Sequence, residues 1–298
     1  MLCPAGDNDI RRRLFKYTPG STLNCTDHGF QKLGIQLFGM TGHGKSSLIN
    51  SCLCVGQDRK FMNEAGSGHS QQPITMERKE YKIKDSIYIT DNRGLVKLND
   101  EERQETAAQF SNVRDTGAVS WERVMERTFE KILHGLDICE TDITLPVFVY
   151  SAECPLTEER SSEIVPLLLE TFHITEIFPI VVLTKTAKVK TNEVAARFKD
   201  FGANYVISLE NYTTTNEGRN PEMDTKILKF LDVCMSEADR MIEIKRGKDQ
   251  KIQFIKGAMK LIEKEVKTRE KNLQAQWEKE RAELEKRIKE LENKCSIM

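Results

Sequence analysis

Gly39-Met40-Thr41-Gly42-His43-Gly44-Lys45-Ser46 constrains the fold of this chain more than any other stretch, because it fits G-x-x-x-x-G-K-[ST] without departure. It stands between Leu33–Phe38, an apolar run that predicts a strand, and Lys45–Val55, which predicts a helix. The motif answers a physical demand for a loop whose backbone amides converge on phosphate oxygens. Glycines at 39, 42 and 44 permit the turn and a close backbone approach. The helix that follows points its positive N-terminal end at the same anion. Lys45 is placed to reach the β and γ phosphates and the Ser46 hydroxyl to ligate magnesium, with Thr41, His43 and Ser47 completing the candidate set. A glycine-rich turn that merely caps a helix is the bland alternative, and His43 reads more simply as a solvent-facing loop histidine.

A phosphate loop of this kind requires a second magnesium contact from the end of a neighbouring strand. Ile87–Thr90 predicts that strand and Asp91-Asn92-Arg93-Gly94 follows it as D-x-x-G. Asp91 is the expected magnesium partner, and the Gly94 amide the expected γ-phosphate contact. Between the two motifs, Glu64–Met76 is polar and rich in Gly and Ser, the composition of a loop that closes over a ligand and releases it. Thr75 is the candidate for a further magnesium hydroxyl, with Ser70 as its rival. Leu95 follows Gly94 where a water-orienting glutamine often sits, so slow intrinsic turnover is the expectation.

The rest of the first 240 residues alternates strand and helix. Tyr81–Lys84 and Ser86–Thr90 predict two short strands joined near Asp85, and Leu145–Tyr150, Phe178–Leu183 and Tyr205–Ser208 predict three more. Helices are expected at Trp121–His134, Ser161–Phe172, Glu193–Phe201 and Thr225–Met241. Runs such as Pro179-Ile180-Val181-Val182-Leu183 suit parallel strands covered on both faces. The expected fold is α/β: a mostly parallel sheet flanked by helices over 33–240, preceded by a loosely packed extension (1–32) in which Arg11-Arg12-Arg13 reads as solvated surface. From about Asp239 a proline-free, charged segment predicts a long helix or coiled coil over 241–298. Its apolar positions Ile262, Leu273, Leu284 and Cys295, and again Val266, Trp277 and Ile288, repeat every eleven residues, so the stripe runs nearly straight along the helix. Such a stripe cannot bury itself alone, and it predicts a helical partner or self-association through 241–295.

Composition excludes some classes. A net charge of -1 gives no global basic field for nucleic acid. The charge is uneven: Asp239–Lys294 holds 17 Lys/Arg against 12 Asp/Glu, +5 against -6 for the remainder. Eight scattered cysteines and no charged-then-apolar leader suit reduced thiols in a cytosolic chain, and Cys52 and Cys54 have no second Cys/His pair to complete a zinc set. The last four residues, Cys295-Ser296-Ile297-Met298, read C-a-a-X, so farnesylation of Cys295 and a reversible membrane association are open alongside an unmodified thiol.

Phe178–Leu183 runs into Thr184-Lys185-Thr186-Ala187. Small-GTPase-type proteins end this strand with [NT]-K-x-D. Thr184 and Lys185 match, whereas Ala187 cannot accept a hydrogen bond from guanine, a loss worth ~1 to 3 kcal/mol in base preference. With these motifs in this order the chain resembles the translation-factor-related P-loop GTPases. More closely it resembles the interferon-induced protein forty-four family at Leu37-Phe38-Gly39, Gly44-Lys45-Ser46-Ser47, Ile49-Asn50-Ser51, Leu183-Thr184-Lys185 and Glu210-Asn211-Tyr212 followed by Asp224–Ala238. Immune-associated and guanylate-binding GTPases are similar in arrangement. The resemblance implies a cytoplasmic protein that binds GTP or GDP with Mg2+ in antiviral or immune responses. ATP binding, or a coiled-coil scaffold that nucleotide only stabilises, are the competing expectations.

Overall fold

The structure, a computed structural model, describes residues 5–23, 28–66, 77–92, 94–111, 117–118 and 142–295. The chain divides into two compact units, Met1–Glu243 and Ile244–Met298.

The first unit is organised by one sheet. Its strands are β1 (Lys32–Phe38), β2 (Glu77–Lys84), β3 (Ile87–Asp91), β4 (Gly117–Ala118), β5 (Asp142–Ser151), β6 (Ile180–Thr184) and β7 (Val206–Ser208). They lie in the order β4-β2-β3-β1-β5-β6-β7. From β3 to β7 every pairing is parallel, and only the β2 and β4 edge runs antiparallel. The central strands are apolar without alternation because helices cover both faces: Leu33, Ile35 and Leu37 of β1, Ile143, Leu145 and Val147 of β5 and Val181 through Leu183 of β6 are all fully buried. Helix α2 (Lys45–Gly56) follows the same logic. Leu48, Ile49, Cys52, Leu53 and Val55 bury every side of it. Helices α3 (Asp100–Phe110), α4 (Glu158–Thr175) and α5 (Asn192–Asp200) complete the layers. The sheet, its parallel sense and its flanking helices match the expectation, while α3 was not foreseen and the expected helix Trp121–His134 lies outside the described residues.

The amino-terminal segment departs from its reading as a loose flank. Ala5–Lys16 is a helix, α1, with Leu14 and Tyr17 buried. Arg13 pairs with Asp232 at 3.0 Å and donates to Ser236 Oγ at 2.7 Å; Arg11 donates to the Val55 carbonyl at 3.0 Å. Only Arg12 of the triplet is well exposed, at 70% of its side chain. Partly exposed ion pairs contribute ~0 to 1 kcal/mol, whereas each large buried side chain contributes ~1.5 to 3 kcal/mol, so Leu14 and Tyr17 dock the helix and the arginines set its register. Asp239 closes the joint by accepting from the Tyr17 hydroxyl and the Gly20 amide, both at 2.8 Å, and from Thr22. Burial and this carboxylate push the Tyr17 phenol far above its ordinary range, so it remains a donor. None of these long-range partners is visible in local periodicity.

The two helices expected at Thr225–Met241 and beyond Asp239 are one, α6 (Pro221–Cys295). Its first part belongs to the first unit and buries Ile227, Leu228, Phe230, Leu231, Met235 and Ile242 completely. In the second unit the eleven-residue stripe stands open: Ile262, Leu273 and Leu284 are 61%, 57% and 58% exposed and Trp277 is 70% exposed. The side chains of Ile288, Leu291 and Cys295 lie outside the described residues, as does Ser296–Met298. Among the described residues no helix is long and apolar enough to cross a membrane.

Candidate functional site

The carboxyl ends of β1, β3, β5, β6 and β7 share one edge of the sheet. The chain order reverses around β1, with β3 on one side and β5 on the other, so loops leave this edge in opposite directions and open a crevice there. Gly39 leaves β1, Asp91 ends β3 opposite Leu37, and Ser151 ends β5 opposite Thr184 of β6. The sheet thus gathers residues from five separated segments before any side chain is considered.

The loop Gly39–Ser46 has the backbone its sequence predicts. Gly39, Gly42 and Gly44 take φ of 139°, 77° and 91°, a region costly to residues with a Cβ. A Cβ on Gly39 would lie 2.3 Å from the Val149 carbonyl oxygen, so β5 itself demands glycine. Gly44 caps α2 without a side-chain hydrogen bond, leaving the first-turn amides of that helix to point into the crevice. Ser47 lies in this turn, and its carbonyl accepts from Ser51 Oγ at 2.8 Å.

Lys45 is buried, and its Nζ donates to the carbonyls of Gly39 and Met40, each at 3.0 Å. Burial pushes its ammonium down to about 8 against a small opposing effect of Asp91. A cation so placed, between two neutral acceptors and at the mouth of a helix N-terminus, is completed by an anion. The Ser46 hydroxyl donates to Asp91 Oδ2 at 2.9 Å, which brings the two predicted magnesium partners into contact. That pair of hard oxygens suits a divalent cation bound together with phosphate.

The D-x-x-G turn is zipped onto the loop. The Leu95 amide donates to the Gly39 carbonyl at 3.0 Å and the Thr41 amide to the Leu95 carbonyl at 2.9 Å. A Cβ on Gly94 would lie 2.6 Å from Thr41 Oγ1 and 3.1 Å from Lys45 Nζ, so Gly94 sits directly against the Lys45 ammonium. Leu95 turns its side chain into the core, beside Phe38 and Met40. Two residues that the sequence reading passed over hold this turn. Glu102, buried at the start of α3, accepts from the amides of Val96, Lys97 and Leu98 at 2.9 to 3.1 Å. Asn92 donates to the Leu37 carbonyl at 2.9 Å and ties β3 to β1. Asn99-x-x-Glu102 is a helix-start signature that marks α3 in the sequence, with Asn99 Oδ1 accepting from the Glu102 amide at 3.1 Å.

On the other side of the loop, His43 is not the solvent-facing residue expected. Its ring is packed edge-on to Tyr150 at 4.9 Å between centroids, and Nδ1 accepts from the Ser151 amide at 3.2 Å. Burial first, then Lys45, Lys185 and Arg160, push it down to about 3, so it is neutral and shapes the loop. Thr184 Oγ1 donates to the His43 carbonyl at 2.7 Å, and Asn211 Nδ2 to the Gly44 carbonyl at 3.3 Å. Thr184 therefore braces the loop from β6. Lys185 adopts a φ of 54° and lies 3.9 Å from Glu153. Glu210 accepts from Thr186 Oγ1 at 2.8 Å and from the Ala187 amide. Thr75 and Ser70 lie outside the described residues, and among those described no cluster of His, Cys, Asp and Glu forms a metal site of its own.

Residues 34–149, from β1 through the phosphate loop and D-x-x-G to β5, match the family model described as 50S ribosome-binding GTPase. A solved structure concerning the chloroplast translocon components atToc33 and psToc159 is similar over 79% of this chain and 92% of that one, at 15% identity and a TM-score of 0.43. No curated protein matches the chain.

Proposed function

From a P-loop GTPase domain built on the loop Gly39–Ser46 and the strand end at Asp91, we propose a GTP-binding switch with slow hydrolysis. The observation that carries this reading is the buried Lys45 ammonium, held by two carbonyls at the mouth of α2 and 3.1 Å from the position a Gly94 Cβ would take. Phosphate charge is what such a lysine and helix end attract. Ser46 and Asp91 are the residues that would hold Mg2+, whose contribution is to neutralise the charge on the phosphate oxygens. The Gly94 turn is where a γ phosphate changes the structure. Its backbone pairs with the phosphate loop through Leu95, so a Gly94 amide drawn toward a γ phosphate would carry this pairing with it. Slow turnover follows from Leu95, which offers the crevice no side chain to orient water.

The exposed stripe from Phe254 to Leu284 supports a second copy of the chain or another helix as the output partner. Resemblance to the interferon-induced protein forty-four family supports a cytoplasmic, antiviral or immune setting. Titration with labelled GTP, GDP and ATP, with and without Mg2+, tests the nucleotide reading. Magnesium-dependent GTP and GDP binding is expected, and no binding of any nucleotide would overturn it. Sedimentation across a concentration series tests the stripe. A mass that rises with concentration is expected, and a monomer at every concentration removes self-association.

A further inference from the structure

The T-K-T-A segment lacks the carboxylate that a guanine-binding loop requires, yet the structure supplies one from elsewhere. β6 and β7 are parallel neighbours with Leu183 opposite Ser208, and the Leu209 amide donates to the Leu183 carbonyl at 3.0 Å. This register lays Thr184–Ala187 beside Leu209–Asn211. Glu210 reaches across the gap: one oxygen, Oε1, takes both the Thr186 hydroxyl at 2.8 Å and the Ala187 amide. The carboxylate missing from residue 187 thus rests on the backbone of residue 187. Oε1 accepts from both loop donors, and among the described residues Oε2 makes no hydrogen bond to the loop.

Asn211 gives a second, independent observation. It is 8% exposed, and its Nδ2 is committed to the Gly44 carbonyl at 3.3 Å. That contact fixes the orientation of the amide, because a carbonyl accepts only from the nitrogen. Asn211 Oδ1 is buried without a hydrogen-bond partner among the described residues. A buried acceptor left in this state costs ~1 to 3 kcal/mol, so the site is suited to a ligand carrying donors. Both contacts sit one loop away from the phosphate-binding amides, since Thr184 and Asn211 hold the carbonyls of His43 and Gly44.

We propose that Glu210 is the base-recognition residue of this chain. It takes the place of the absent carboxylate at Ala187 and selects guanine by accepting from its N1–H and N2 amino groups. The inference rests on the nucleotide reading above. Adenine presents an acceptor at N1, which a carboxylate repels, so the same residue selects against ATP.

Glu210→Gln tests this cleanly. The amide oxygen of glutamine can still accept from Thr186 and Ala187, so the loop contacts are retained while the charge is lost. GTP affinity is expected to fall about ten- to a hundredfold. Xanthosine triphosphate, which carries a carbonyl where guanine carries its amino group, is expected to gain, because glutamine supplies the N–H that this carbonyl accepts. A purely structural Glu210 would lower affinity for both nucleotides equally and leave their ratio unchanged. Ala187→Asp gives the second reading: if residue 187 is the true base position, the added carboxylate raises GTP preference over ATP. If Glu210 already fills the role, preference in the wild-type background is unchanged or falls, and the double variant Glu210→Gln, Ala187→Asp recovers GTP binding. An unchanged GTP-to-xanthosine-triphosphate ratio in Glu210→Gln, or equal wild-type affinity for GTP and ATP, overturns the proposal and leaves the phosphate site standing. Failure of the wild-type chain to bind any nucleotide overturns both readings.

Discussion

The two ends of the crevice are built from different materials. At the proposed phosphate end, the groups that would recognise a ligand belong to main-chain conformation: three glycines at positive φ, a helix end and one lysine, all within eight consecutive residues. At the proposed base end they are side chains from separate strands, with Thr184 from β6 and Glu210 and Asn211 from beyond β7 brought together because those strands are in register. The first design tolerates almost no substitution. The second can move a functional group from one loop to its neighbour and keep the chemistry.

Replacing Lys45 separates the two ends most sharply. Lys45→Ala is expected to lower affinity for GTP, GDP and ATP together by about a hundredfold or more, since two charge-assisted phosphate contacts contribute ~1.5 to 3 kcal/mol each. The ratio between bases stays as in the wild type, because no base contact is touched. Stability without nucleotide should change little. The Gly39 carbonyl retains the Leu95 amide, the Met40 carbonyl retains the His43 amide at 3.4 Å, and a buried charge is removed. Parallel titrations and thermal melts check this. Retention of wild-type affinity would detach Lys45 from phosphate binding, and a shift in base preference would erase the distinction between the ends.

The same difference in materials explains what could be read from the chain alone. Main-chain recognition leaves a local trace: glycine spacing, a lysine and a strand on either side, so the loop, Asp91 and the parallel sheet were legible. Side-chain recognition across strands leaves none. Glu210 and Asn211 stand out in the sequence only as part of a family resemblance, with no role attached, and their meaning depends on the pairing of Leu183 with Ser208. Helix α1 was missed for a related reason, since its anchors Asp232, Ser236 and Asp239 are more than two hundred residues away. His43 was misread because its environment comes from Tyr150 and Ser151 of β5. Helix α3 did carry a start signature at Asn99 and Glu102, yet the sequence DEERQETAAQF shows little apolar contrast around the helix.

A smaller effect sharpens the comparison without any substitution. Burial pushes Lys45 down to about 8 from 10.5 before an anion binds, and phosphate charge raises it again. Above about pH 8, binding must therefore take up a proton, and affinity is expected to fall by up to about tenfold per pH unit; below that value Lys45 contributes no slope. The sign for folding is opposite. The folded lysine releases its proton at lower pH than the unfolded chain, so between about 8 and 10.5 the unfolded state binds more protons and this group makes stability rise with pH. The buried Cys52, Cys234 and Tyr17 act the other way, since burial raises them and their contribution to stability falls as pH rises above about 9, so a thermal melt at each pH separates loss of binding from unfolding. Titrations of GTP and ATP from about pH 7 to about pH 9 should show both affinities declining in parallel, because the titrating group faces phosphate and not the base. A flat profile for both would mean that Lys45 stays charged throughout, and a decline in one nucleotide alone would place the titrating group at the Glu210 end.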